Sequence, residues 1–126
     1  MNTPNLSDFT DPARFEITPA DRNLFETELA GFIPPNAFDA HAHCYDLRHL
    51  QVKADRSEIG HEAMLASMRR WMGEQAIAEG LYFGYPDPGI DCAAENEFVA
   101  GEFKAHPGCR GLMLIRPDDN PAETEA

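Results

Sequence analysis

Two histidines one residue apart, in the stretch "FDAHAH" (residues 38–43), are the residues of this chain whose type and spacing most directly suggest chemistry. An imidazole binds a divalent ion at about 2.0–2.1 Å, and it does so well only when its ring is held in one orientation. On an extended strand, side chains at i and i+2 leave by the same face, about 6.5–7 Å apart along the backbone. His41 and His43 are therefore expected to emerge together, with Ala37 and Asp39 on their face and Phe38, Ala40 and Ala42 on the other. Asp39 either orients an imidazole from behind or simply lies below the site. The same spacing also describes two structural strand histidines, one of them hydrogen-bonded in a core.

Other groups with chemical potential follow closely. Tyr45, Asp46 and Arg48 lie just after the histidines, and Arg48 is either a grip for a substrate carboxylate or a solvated loop charge. Arg116, at the end of a later strand, has the same two readings. His49 shares the loop with Arg48. His61 and His106 flank helices and are expected at the solvated surface. Cys44 reads as a small buried hydrophobe rather than a nucleophile, because no oriented base accompanies it. In "RRW" (69–71) Trp71 reads as core and both arginines as surface.

The positioning elements follow from local patterns. "TPADRNLFETELAG" offers Thr18 as N-cap, Pro19 at the first helical position and Asp21 as the capping-box acid. Leu24, Phe25 and Leu29 share a face of that short helix, and Gly31 is a natural stop. After the histidine strand, residues 44–60 show no period and read as a long loop, the kind that borders functional sites. Met64, Leu65, Met68, Trp71, Met72 and Ala76 recur at helical spacing, and Gly80 is the expected stop. Residues 81–86 read as a buried strand. Asp91 caps a second long helix with Ala94, Phe98 and Phe103 inward, and residues 110–117 read as a third strand. Strands alternating with helices imply βαβ units and a parallel sheet. The histidine pair then falls at the carboxyl end of the first strand, where such folds carry their sites.

Composition narrows the function classes. The chain has 126 residues, enough for about one domain, and 43% hydrophobic residues, enough for a core. Its net charge of −12 argues against nucleic acid and against anionic membrane surfaces as partners. Three cysteines without a Cys-x-x-Cys pair indicate reduced thiols rather than a disulfide framework. The opening residues lack the apolar core of a secretory leader, and no apolar run approaches the ~20 residues of a membrane span. The cytoplasm is the expected compartment.

"FDAHAH" resembles the Asp-x-His-x-His signature of the metal-dependent amidohydrolase superfamily. "AENEFVAGEFKAHPGCRGLMLIRPDD" is similar to a later segment of its amidohydrolase-related branch, where an Asn-Glu-x-Val-Ala helix runs into a His-Pro turn and then an Arg-Gly strand. Together these cover about residues 36–118. The resemblance implies a (β/α)₈ TIM barrel with one or two divalent ions, zinc first among them, and a small-molecule substrate. It implies hydrolysis of C–N or C–O bonds or, on the same scaffold, decarboxylation. His41 and His43 match the family's first-strand metal ligands.

The family's further ligands, on later strands, have no match here: a bridging lysine or glutamate, two histidines and a catalytic aspartate. A barrel needs eight strands in about 250 residues. The expectation is thus an α/β chain forming the first three strand–helix units of an incomplete barrel (36–126), preceded by a lead-in with a short helix (1–35). Such a fragment is expected to be inactive alone. The alternative is a non-catalytic truncated barrel that self-associates or pairs with a complementary chain through its open sheet edges. A cupin, the other common home of His-x-His, fits poorly with the long helices.

Overall fold

In the computed structural model, which describes residues 16–50 and 58–124, the first helix begins at its cap. The Thr18 hydroxyl accepts the Asp21 N–H at 3.3 Å, and the Asp21 carboxyl accepts the Thr18 N–H at 2.7 Å. This helix, α1 (Pro19–Leu24), widens into a π turn (Phe25–Leu29) and tightens into a 3₁₀ turn (Ala30–Phe32). Of the three apolar residues expected inward, Phe25 alone is buried, edge-on to Trp71 at 5.3 Å, while Leu24 and Leu29 stay exposed. Trp71 is half-buried there, and Arg69 and Arg70 are exposed.

The remaining elements follow in order. They are β1 (Phe38–His43), β2 (Tyr45–Asp46), a 3₁₀ turn (Leu47–Leu50), β3 (Glu58–Ile59), α2 (His61–Met72), β4 (Glu79–Phe83), α3 (Cys92–Ala105), β5 (Arg110–Gly111) and α4 (Pro121–Thr124). The expected long loop thus holds a small antiparallel ribbon, β2 with β3, and its middle (51–57) lies outside the described residues. So do residues 1–15 of the expected lead-in (1–35).

Helix α2 ends earlier than expected. Gly73, at φ 59° and ψ −132°, takes a positive-φ conformation that is cheap only for glycine and turns the chain out of the helix. Gly80, the expected stop, is a buried residue of β4. Asp91 caps α3 as expected, accepting the Ala94 N–H at 3.1 Å. The buried face of α3 is set by Glu95 and Val99, one turn apart, with Ala94, Phe98 and Phe103 only partly covered.

The main sheet is wholly parallel, in the order β1–β4–β5. Between the rungs Asp39↔Gly80 and Ala42↔Tyr82, β1 takes three steps where β4 takes two. This bulge leaves Ala42 facing the core, flanked by His41 and His43. β5 pairs only through Arg110 and Gly111, far short of the expected 110–117. Ala42, Cys44, Tyr82, Val99 and Cys109 form the core, with Met64, Phe98 and Phe103 against it. Full burial of a side chain such as Val99 stabilises by roughly 1.5–3 kcal/mol. Among the described residues no helix is long and apolar enough to cross a membrane.

Candidate functional site

At the carboxyl end of β1 the His41 and His43 rings lie 5.2 Å apart, centroid to centroid, nearly edge-to-face. Phe83, at the end of the adjacent β4, wedges against both, at 5.0 and 4.2 Å. Tyr85 stands 6.1 Å from His43, and Tyr45 stands 5.9 Å from Tyr85, which extends the aromatic wall. His43 Nδ1 is 3.1 Å from the Gly84 carbonyl. A carbonyl only accepts, so Nδ1 carries the hydrogen and Nε2 presents a lone pair. Backbone carbonyls commonly orient metal-binding imidazoles in this way. Asp39 serves the backbone instead of a ring, its carboxyl accepting the His41 N–H at 2.9 Å.

Beneath the pair lies a cluster that the sequence patterns do not reveal. Glu95 is 0% exposed. Its carboxyl accepts the Asp46 N–H at 3.2 Å and the Tyr85 N–H at 3.2 Å, and His49 Nδ1 approaches it to 2.7 Å. Thus one helix side chain ties together the loop after β1 and the loop after β4. Asp46, also buried, is held by Arg48, whose guanidinium reaches Glu58 as well, at 3.1 Å. The Arg48 hydrogen bonds keep the Asp46 carboxyl below the ordinary carboxylate range. Arg48 therefore already carries two acids, Asp46 and Glu58.

Arg116 is farther along, at the end of the third-strand segment. Its Nε lies 3.2 Å from Cys92 Sγ, and its Nη2 donates to the Ile90 carbonyl. The structure gives both arginines partners within the chain and does not gather them with His41 and His43 into one contact set. Cys44 is fully buried, and burial pushes its thiol up to about 12. Burial also raises the Tyr82 and Tyr45 phenols.

The expectation of a solvated His61 is overturned. It is 5% exposed, stacked on a half-buried His106 at 3.8 Å, and its Nε2 is 2.7 Å from the Ala78 carbonyl. The position at a helix start suggested solvent, yet that first turn is lashed inward by Glu102, which accepts the His61 N–H at 2.7 Å. A hollow of about 490 Å³ lies at the opposite, amino end of the sheet, between residues 33–37 and 74–79, away from the β1 histidines. Its lining has acids but no nucleophile or imidazole.

Comparison with protein-family models, with curated proteins and with solved structures returns no match.

Proposed function

We propose that the carboxyl end of β1 is part of a divalent-metal centre, with His41 and His43 as ligands, in a hydrolase of the amidohydrolase type. The observation that carries this reading is the state of His43: its Nδ1 is tied to a backbone carbonyl, its Nε2 has no hydrogen-bond partner among the described residues, and a second imidazole stands beside it. Two fixed imidazoles suit zinc, whose catalytic sites use about three protein ligands and keep one position open. The remaining ligands would come from further strands of a barrel that continues the sequential parallel order β1–β4–β5. A bound ion would supply Lewis acidity and an activated water near neutral pH. The chain's own residues orient His43 through Gly84, stiffen the strand through Asp39 and wall the site from one side with Phe83 and Tyr85. Decarboxylation of a small carboxylate is the alternative chemistry on this scaffold, and substrate analogues would separate the two.

The decisive experiment is cobalt(II) titration of the full chain, followed by visible absorption, against a His41→Ala/His43→Ala variant. The variant should bind one ion fewer, and an unchanged stoichiometry would overturn the reading. The isolated chain should hydrolyse activated esters no faster than zinc in buffer.

A second reading has its own observation. Leu112, Met113 and Ile115 are exposed in the segment that follows β5, the edge strand of the sheet among the described residues. An apolar open edge is a template for another strand, which favours assembly with a second copy or a complementary chain. Light scattering across concentration tests it: a monomer at all concentrations argues against self-association.

A further inference from the structure

We propose a separate cation site, built from His61, Glu62 and His106, for a divalent transition ion of the zinc type. It shares no residue with the β1 pair and stands or falls independently of the reading above. One ligand atom from each of the three residues lies within 4.8 Å of the other two. The Ala78 carbonyl fixes the hydrogen of His61 on Nε2, so Nδ1 is a bare acceptor. That Nδ1 is buried and has no hydrogen-bond partner among the described residues. Buried polar atoms are seldom left so, and one that is calls for an ion or a water.

The neighbouring donors face the same point. Glu62 Oε1 is 3.7 Å from His61 Nδ1 and 3.9 Å from His106 Nε2. Both separations exceed a hydrogen bond and approach the donor–donor span of a tetrahedral centre, about 3.3–3.4 Å for bonds of about 2.0–2.1 Å. The two rings lie 27° from parallel, so loading the site turns the more exposed His106 ring partly out of the stack. Two neutral imidazoles and one carboxyl favour zinc, cobalt, nickel or copper over calcium or magnesium, which prefer all-oxygen shells.

The role of this site is structural. His61 opens α2, Ala78 leads into β4, and His106 closes α3 before β5. An ion here clamps three successive elements at the side of the sheet.

The test uses the full chain in the His41→Ala/His43→Ala background, stripped of metal and titrated with cobalt(II) and zinc(II). Visible absorption and thermal unfolding are the readouts. About one equivalent should bind, with a melting temperature that rises with free zinc. Adding His106→Ala, or separately Glu62→Gln, should weaken binding at least about tenfold, since even outer contacts of a metal site are worth that much. Both changes lie at partly or fully exposed side chains, so they test the site without emptying the core as His61→Ala would. Absence of binding in this background, or binding unaffected by both substitutions, overturns the proposal. So does a stabilisation by Glu62 that tracks pH alone and ignores zinc, because that marks a proton-bridged ion pair. If wild type and the His41→Ala/His43→Ala variant bind equally but His106→Ala weakens both, this site holds and the β1 centre fails.

Discussion

Two clusters of ionisable groups meet where β1 and β4 end, and they differ in how fully their polar atoms are engaged. Around Glu95 the donors and acceptors find partners: two backbone N–H groups and an imidazole on one carboxyl, and Arg48 on the Asp46 carboxyl. A few residues away, among the described residues, His43 is hydrogen-bonded at one ring nitrogen and not the other, and His41 is hydrogen-bonded at its backbone while its ring has only aromatic contacts. The saturated cluster is structural, because every partner it loses leaves a buried group unpaired. The open pair contributes little to folding and is where ligand chemistry remains available. His61 is the intermediate case, buried like Glu95 yet open like His43.

The contrast is broken most easily at Glu95. Glu95→Ala should destabilise the fold by about 3–5 kcal/mol in urea unfolding, because it strands buried donors from two loops. A loss below ~1 kcal/mol would mean the cluster is not saturated in solution. Next in size is Gly84→Ala. A Cβ there would sit 2.3 Å from Glu95 Cγ, so a cost of about 1–3 kcal/mol is expected, with partial disordering of the Tyr85 loop. Circular dichroism and denaturant midpoints would read it.

The Asp46–Arg48 pair is the pH-dependent part. With its folded pKa held low, Asp46 contributes stability that is present above about pH 4 and lost as pH falls through the lower folded value. The gap in stability between wild type and Asp46→Asn should therefore be constant from about pH 5 upward and shrink below about pH 4. A gap that widens in acid would refute the assignment. His41→Ala, by contrast, should stay within about 0.5 kcal/mol of wild type while weakening metal binding, the pattern of an exposed ligand. The smallest effect concerns thiols. In the native state at pH 8, the partly exposed Cys92 should react with a thiol reagent well before the buried Cys44 and Cys109.

Local signals were legible wherever a residue acts on its own neighbours. The caps at Thr18 and Asp91 and the alternation that makes a parallel sheet are of this kind, as is the shared edge of His41 and His43. What escaped depends on partners distant in sequence. An acid inside an apolar helix reads as solvent-facing, and only the loops that fold over Glu95 make it the most buried side chain of α3. His61 was misplaced for the same reason, since Ala78 and Glu102 pull it inward. Gly80 was expected to stop α2, but the backbone turns at Gly73 and Gly80 lies in β4. The barrel and the catalytic reading stand on the resemblance of two short segments and on the geometry of one strand end.

Asn96 carries a consequence for the shape of the sheet. Its amide binds Leu114 on both sides, donating to the carbonyl and accepting the N–H, each at 2.8 Å. Leu112 donates to Tyr82 at 2.8 Å, so the next inward-turned residue of that segment meets a side chain where a neighbouring strand would be. Asn96 is thus a surrogate rung, a splint that holds residue 114 where β5 has ceased to pair with β4. Through it the segment after β5 is fastened to α3 rather than to β4. Exchanging Asn96 for aspartate would remove the donor, leave the Leu114 carbonyl without it and loosen that fastening, with the β4–β5 rungs untouched.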